Sequence, residues 1–173
     1  DSFDEIERCE RLLDGPQRVL IRVTPGIKPS THDYITTGQL DSKFGFGLED
    51  GLAARAVERV LASDNLELVG LHAHIGSQIF ELEPYKLAIA ALGGLAGAWC
   101  EVVNVGGGLG VAYTAEDEPP AIDSYVDVKV RGVADVFGPD VRILVEPGRS
   151  LVANAGITAY RVGTIKEIPG VRT

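Results

Sequence analysis

The sequence predicts an α/β fold made of successive βα units, and three observations carry that expectation. Short β-branched apolar runs recur near residues 20, 70, 103 and 143. Helical periodicity fills the intervals between them, and polar or glycine-rich residues gather just after each run, where a strand would end. Such units build either an open parallel sheet or a (β/α)8 barrel, and in both the C-terminal edge of the strands is where ligands bind. Four units amount to half a barrel.

The elements follow in order. Residues 1–13 are expected to be helical, with Ser2 and Glu5 spaced as a capping box and Phe3, Ile6, Leu12 and Leu13 able to share one apolar side. Asp14-Gly15-Pro16 stops that helix, and the β-branched run 18–23 reads as a strand ending at Thr24-Pro25-Gly26. The polar stretch 27–47 is longer than an ordinary connection, which points to a functional loop. Leu52, Ala53, Ala56, Val57, Val60 and Leu61 repeat at helical spacing within 49–63. A strand over 66–75 carries His72 and His74 at its end, on one face by the two-residue period. An alanine-rich helix over 82–98 is loosened by Gly93, Gly94 and Gly97, and a strand over 101–105 feeds three consecutive glycines. Val126, Val130, Val133, Ala134 and Phe137 fall on one helical face, although Val126, Val128 and Val130 also suit a strand; helix is the reading adopted. A further strand spans 142–146 before Pro147-Gly148. From Ile157 to Ile168 the pattern alternates like a β segment, so 1–156 and 157–173 are expected to be two domains.

The chain has 173 residues, 45% of them hydrophobic and 24% charged, an ordinary composition for a globular domain with a sizeable core. A net charge of −9 argues against nucleic acid and anionic membranes as partners, so an anionic ligand needs a local site. The uncharged run 87–100 is too short to span a bilayer. No secretory leader is visible, and Cys9 and Cys100 make neither a disulfide framework nor a metal pattern, so a cytoplasmic location is expected. His32, His72 and His74 lack the cysteines or carboxylate pattern of a zinc site. With no methionine, a start at Asp1 and a stop at Thr173 inside an alternating pattern, the sequence reads as an internal fragment.

The chemistry gathers at the strand ends. Gly106, Gly107 and Gly108 remove every Cβ from a turn at the end of a strand, where backbone N–H groups can converge on an anion. Glycine triplets also occur where a helix packs close to a strand. The dinucleotide fingerprint is not met, because with Gly106 and Gly108 as its first two glycines the third place is Val111. Glu146 and Arg149 form a structural ion pair or a working set: a carboxylate to hold a proton on a ring nitrogen and a guanidinium to grip a phosphate or carboxylate. His74 is either a packing residue or a planar group to stack on a ligand, and Ser77 either a turn residue or a hydroxyl for a phosphate oxygen.

Taken together, HAHIGSQ (72–78), VVNVGGGLG (102–110), VEPGRS (145–150) and the long stretch 23–47, VTPGIKPSTHDYITTGQLDSKFGFG, resemble the fold-type III pyridoxal-phosphate-dependent decarboxylases. HIGSQ and THDYITTG look more like the members acting on diaminopimelate than those acting on ornithine or arginine. The resemblance implies a (β/α)8 barrel followed by a β-rich domain entered near Ile157. It implies pyridoxal 5′-phosphate as cofactor, with His74 stacked on the ring, Ser77, Gly106, Gly107 and Gly108 on the phosphate, Glu146 on the pyridine nitrogen, and Arg149 on an anionic group of cofactor or substrate. The implied reaction is decarboxylation of meso-diaminopimelate to L-lysine, the last step of lysine biosynthesis, by a cytoplasmic homodimer.

The resemblance also implies residues that the chain does not hold. The family's Schiff-base lysine lies upstream of anything matching Asp1, and its cysteine-glutamate-aspartate substrate motif with a later tyrosine lies beyond Thr173. Lys28, Lys43, Lys86, Lys129 and Lys166 are not in the required context, so this chain alone is expected to be inactive. Lys43, in DSKFGFG, matches a position at the margin of the site or is a solvated lysine. The other readings are an ornithine, arginine or carboxynorspermidine decarboxylase, a non-catalytic pyridoxal-phosphate-binding protein, and a phosphate-binding barrel of unrelated chemistry.

Overall fold

The computed structural model describes residues 1–27 and 43–167. His32, Lys28 and the THDYITTG segment lie outside the described residues. The chain runs α1 (Phe3–Leu12), β1 (Gln17–Thr24), β2 (Phe46–Gly47), α2 (Leu52–Leu61), β3 (Leu66–His72), α3 (Glu83–Gly93), β4 (Val102–Asn104), α4 (Ile122–Phe137), β5 (Arg142–Leu144) and α5 (Arg149–Val152). A 3₁₀ turn over Ala153–Ala155 follows α5.

The five strands form one sheet in the order β2-β1-β3-β4-β5, and every pairing is parallel. Strands β1, β3, β4 and β5 therefore lie side by side in chain order, as in a barrel wall, and the two-residue β2 sits on the outer edge of β1. The core sits on one face: Ile21 and Val23 of β1, Leu71 of β3 and Val103 of β4 join Ala53, Ala56 and Val60 of α2, Ile89 and Leu92 of α3 and Val133 of α4 in one cluster. The opposite face presents Arg22, His72, Asn104 and Leu144 in a row, because these residues are register partners along the sheet. The architecture is the predicted α/β fold, a partial (β/α)8 barrel. The short β2, inside the stretch read from sequence as loop, adds to the edge of β1 through Val23↔Phe46 and Thr24↔Gly47.

Local chemistry sets the element ends. Ser2 Oγ accepts the Glu5 N–H at 3.2 Å and caps α1. Asp50 Oδ1 accepts the Leu52 N–H at 2.9 Å at the start of α2, preceded by Gly51 at φ 74°. Pro84 occupies the first turn of α3, where a missing N–H costs nothing, and the helix ends at Gly93, inside the glycine-loosened region. Gly70 lets β3 approach β4 so closely that a Cβ there would lie 1.8 Å from the Val102 carbonyl oxygen. Among the described residues no helix is long and apolar enough to cross a membrane.

Two expectations are corrected. Segment 122–137 is a helix, but its buried stripe is Tyr125, Lys129 and Val133, while Val126 and Val130 are exposed. The stripe was misread because it contains a lysine, which a hydrophobic pattern assigns to solvent. The alternating segment from Ile157 forms no strand as far as residue 167, and Ile157, Tyr160, Val162 and Ile165 are exposed. Alternation states which side chains a strand would show on each face, but a strand also needs a neighbouring ladder for its N–H and C=O groups, and among the described residues none pairs with this segment.

Candidate active site at the C-terminal strand edge

Three strand ends build the site. The turn after β3 carries His74, Gly76 and Ser77, the turn after β4 carries Gly106, Gly107 and Gly108, and the chain after β5 carries Glu146 and Arg149. The glycines let these turns interlock. A Cβ on Gly107 would lie 2.0 Å from the Glu146 carbonyl oxygen, and one on Gly106 2.6 Å from that of Ala73. Gly106 and Gly108 also hold φ values of 62° and 98°, a backbone conformation that side-chain-bearing residues rarely adopt. Backbone bonds complete the fit: Glu146 N–H donates to Gly106 O at 3.1 Å, and Ile79 N–H to Gly108 O at 2.9 Å.

Glu146 is the centre of the cluster. Its Oε1 accepts from Asn104 Nδ2 at 3.0 Å and lies 3.3 Å from His72 Nε2, while its Oε2 lies 3.2 Å from His74 Nδ1. Burial works to raise the Glu146 carboxyl, but the charge of His72, the Asn104 amide and His74 outweigh it and hold the group below the ordinary carboxylate value. Glu146 is thus an anion at neutral pH. Burial pushes His72 down despite the attraction of Glu146, so its imidazole is neutral there.

The turn is tied to both neighbours. Gly106 N–H donates to Asn104 Oδ1 at 3.0 Å, and Gly107 N–H to His74 Nδ1 at 3.2 Å. Gln78 clamps the far end, donating from Nε2 to Val111 O at 3.1 Å and accepting the Val111 N–H at 2.9 Å. Arg149 reaches across the mouth, donating from Nε to Ser77 Oγ at 3.2 Å and from Nη1 to Tyr113 Oη at 2.7 Å. A small apolar cluster of Ile75, Ile79, Tyr85, Ala88, Leu109 and Tyr125 supports the turn from beneath.

His74, Ser77, Gly106, Gly107, Gly108, Glu146 and Arg149, singled out from sequence, are therefore brought together. Lys43 lies against the Phe44 ring, its Nζ 5.1 Å from the ring centre. The sequence reading missed Asn104, Gln78, Tyr113 and Lys129. The first two carried a signal: Asn104 is the polar residue inside an apolar strand just before the glycines, and Gln78 closes HIGSQ.

The chain is 46% identical to the diaminopimelate decarboxylase of Bacillus subtilis over 99% of its own length and 42% of that protein's. It is 41% identical to the Synechocystis enzyme of the same name, over 100% of its own length and 39% of the other's. It thus spans about two fifths of the curated relatives it matches. Among solved structures, diaminopimelate decarboxylase from Helicobacter pylori, complexed with L-lysine, superposes with a TM-score of 0.77 at 34% identity, covering 88% of this chain and 40% of that one. The enzyme from M. jannaschii, in co-complex with L-lysine, does so with a TM-score of 0.75 at 32% identity, over 98% and 42%. Residues 1–153 match the family described as pyridoxal-dependent decarboxylase, pyridoxal binding domain. On that match, which takes in every strand of the sheet and the whole strand-end cluster, the chain belongs to the pyridoxal-dependent decarboxylase family.

Proposed function

We propose that this chain is the pyridoxal-phosphate-binding part of a carboxy-lyase that converts meso-diaminopimelate to L-lysine and carbon dioxide. The observation that carries the reading is the ionised Glu146 carboxylate, held by Asn104 and set against the His72 and His74 rings beside a turn of three glycines. The substrate rests on the names of the relatives. The residues present fit the cofactor: the glycine turn is a cradle that any Cβ would crowd, and Arg149 with the Ser77 and Tyr113 hydroxyls supplies donors at its mouth. Tyr85 Oη, buried and without a hydrogen-bond partner among the described residues, lies 3.2 Å from where a Gly108 Cβ would be.

Gly106, Gly107, Gly108, Ser77 and Arg149 would hold the phosphate, and His74 would lie on the ring. When bound, the cofactor supplies an electron sink for the pair left behind as carbon dioxide departs. Glu146 serves that chemistry by keeping a proton on the ring nitrogen, since a carboxylate held below its ordinary value favours the charged ring over the neutral one. Asn104 fixes the direction of that carboxylate. Arg149 meets an anionic group of cofactor or substrate through its planar fork.

The reading further divides the chain into a partial barrel over 1–156 and the beginning of a β-rich domain over 157–173. It places the protein in the cytoplasm, in keeping with unpaired Cys9 and Cys100, as one half of a homodimer. The test is carbon dioxide release from diaminopimelate, ornithine and arginine by the pyridoxal-phosphate-loaded longer protein that carries this chain, since the chain alone is expected to be inactive. Release from diaminopimelate alone is expected. Equal or greater release from ornithine or arginine would displace the substrate, and failure to bind pyridoxal phosphate would remove the cofactor reading.

A further inference from the structure

Lys129 is an ionisable side chain at 1% exposure, on the helix face where the hydrophobic pattern had placed none. Its ammonium donates to Val105 O at 3.0 Å, to Gly106 O at 2.9 Å and to Tyr125 Oη at 2.5 Å. Three donors thus meet three acceptors, the condition under which a charged lysine tolerates burial. The ring centres of Tyr125 and Tyr85 lie 4.2 Å and 4.7 Å from Nζ and present their faces to the cation.

The two carbonyls belong to the peptides that open the glycine turn. In a planar trans peptide the C=O and N–H groups point in opposite directions, and the described chain contains no cis bond. A donor fastened to the carbonyls of Val105 and Gly106 from behind therefore turns the N–H groups of Gly106 and Gly107 to the front, where they meet Asn104 Oδ1 and His74 Nδ1. Gly106 O also accepts the Glu146 N–H at 3.1 Å, so Lys129 shares that carbonyl with the chain after β5, and it is the side-chain donor that links it to the Val105 carbonyl. A cation on the carbonyl side also polarises the peptide and makes its N–H a stronger donor.

We infer that Lys129 is a positioning residue of the site, fixing the direction of the glycine-turn peptides and, in its protonated form, placing a positive charge behind a bound phosphate group. The inference rests on the proposed reading of the turn as a phosphate cradle. It gives the lysine beneath the turn a role that an apolar residue filling the same aromatic box would not have.

The test uses the full chain with two probes that have no aldehyde and so need no covalent anchor, pyridoxamine 5′-phosphate and pyridoxamine. The wild type should prefer the phosphate ester. Lys129→Met keeps the length and apolar fit and should lose about tenfold or more of that preference, with pyridoxamine affinity unchanged. Lys129→Arg, which still donates to both carbonyls, should regain part of it. A pure packing role predicts the reverse, with Met tolerated and Arg not, and that result or an unchanged preference in Lys129→Met overturns the inference.

A measurement on the wild type stands should the variants not fold. Among the described residues the groups facing the ammonium are Tyr125 on its own helix, Tyr85 on α3 and Glu146 beyond β5; burial raises both phenols, so among these Glu146 is the facing charge at neutral pH. The Lys129 Nζ titration, followed by NMR, should move upward on saturation with pyridoxamine 5′-phosphate and stay put with pyridoxamine. A midpoint indifferent to the phosphate overturns the inference. If the wild type binds both probes alike, the cradle reading falls and this inference with it, an outcome distinct from a preference that survives the loss of Lys129.

Discussion

Asn104 bridges the glycine turn and Glu146: its Nδ2 donates to Glu146 Oε1 at 3.0 Å while its Oδ1 accepts the Gly106 N–H at 3.0 Å. The acceptor role of Oδ1 fixes which end of the amide faces the carboxylate, since an N–H cannot donate to an NH₂ group. Asn104→Asp keeps the acceptor and sets a second carboxylate against the first. Two such groups in contact cannot both ionise freely, so the Glu146 titration should rise by about one pH unit or more. Carbon-13 NMR of the side-chain carboxyl measures it. An unmoved titration would mean that the bridge does not hold the carboxylate.

The glycines of the turn should tolerate no side chain. At Gly107 a Cβ would lie 2.0 Å from the Glu146 carbonyl oxygen, and backbone cannot swing aside as a side-chain tip can. Gly107→Ala should therefore cost about 1–3 kcal/mol or more and disrupt the seating of Glu146. Gly94 is the contrast: it caps α3 with helical angles, φ −65° and ψ −17°, and a Cβ would meet the Ala91 carbonyl oxygen only at 3.8 Å. Gly94→Ala should stabilise by about 0.4–1 kcal/mol through the lost freedom of the unfolded chain. Denaturant melts of the two variants decide the point; equal effects would mean the turn is looser than its contacts.

The contrast also shows what was legible in the sequence. The four main strands were readable because each is an apolar run that ends in turn residues, and their order in the sheet is the order in the chain. His74, Gly107 and Glu146 were readable because strand ends in parallel sheets collect ligand-binding groups. Tyr113 was not, because it joins the site through Arg149, which approaches from a different strand end. Lys129 was hidden for a deeper reason: what makes its burial tolerable is a pair of backbone carbonyls more than twenty residues upstream, and no pattern on its own helix reports them. The segment after Ile157 shows the opposite limit: its two-residue period states a preference, and among the described residues it has no strand to pair with.

Removal of the Glu146 charge separates binding from chemistry. Glu146→Gln preserves the size of the side chain and an acceptor oxygen, but a neutral amide does not favour a proton on the ring nitrogen. In the proposed longer enzyme that carries this chain, decarboxylation should fall roughly 10²-fold, the scale of losing one preorganised electrostatic contact, while affinity for the phosphate end changes little because Ser77, Arg149 and the glycines are untouched. Steady-state kinetics beside cofactor titration checks it. Parallel losses in rate and phosphate affinity would place Glu146 on the wrong end of the ligand.

Lys129 gives the protein an unusual dependence of stability on pH. Burial pushes its ammonium down from 10.5 to about 7, with Glu146 opposing the shift. Between those values the unfolded chain holds the proton and the folded chain does not, so the unfolded state binds more protons and stability rises with pH. The gain is complete above the unfolded value and is lost as pH falls through about 7; the slope in the window is at most about 1.4 kcal/mol per pH unit. Tyr85 and Tyr125 act against it only at higher pH: burial raises both phenols, Tyr125 to about 12, so the unfolded chain sheds their protons first above its own tyrosine value. The comparison therefore belongs between about pH 7 and 9, below the tyrosine window. Over that range the stability of the wild type minus that of Lys129→Met, from denaturant melts at each pH, should increase. A flat difference would mean that Lys129 keeps its proton in the fold well above neutral pH, held by the Val105 and Gly106 carbonyls more strongly than burial opposes it.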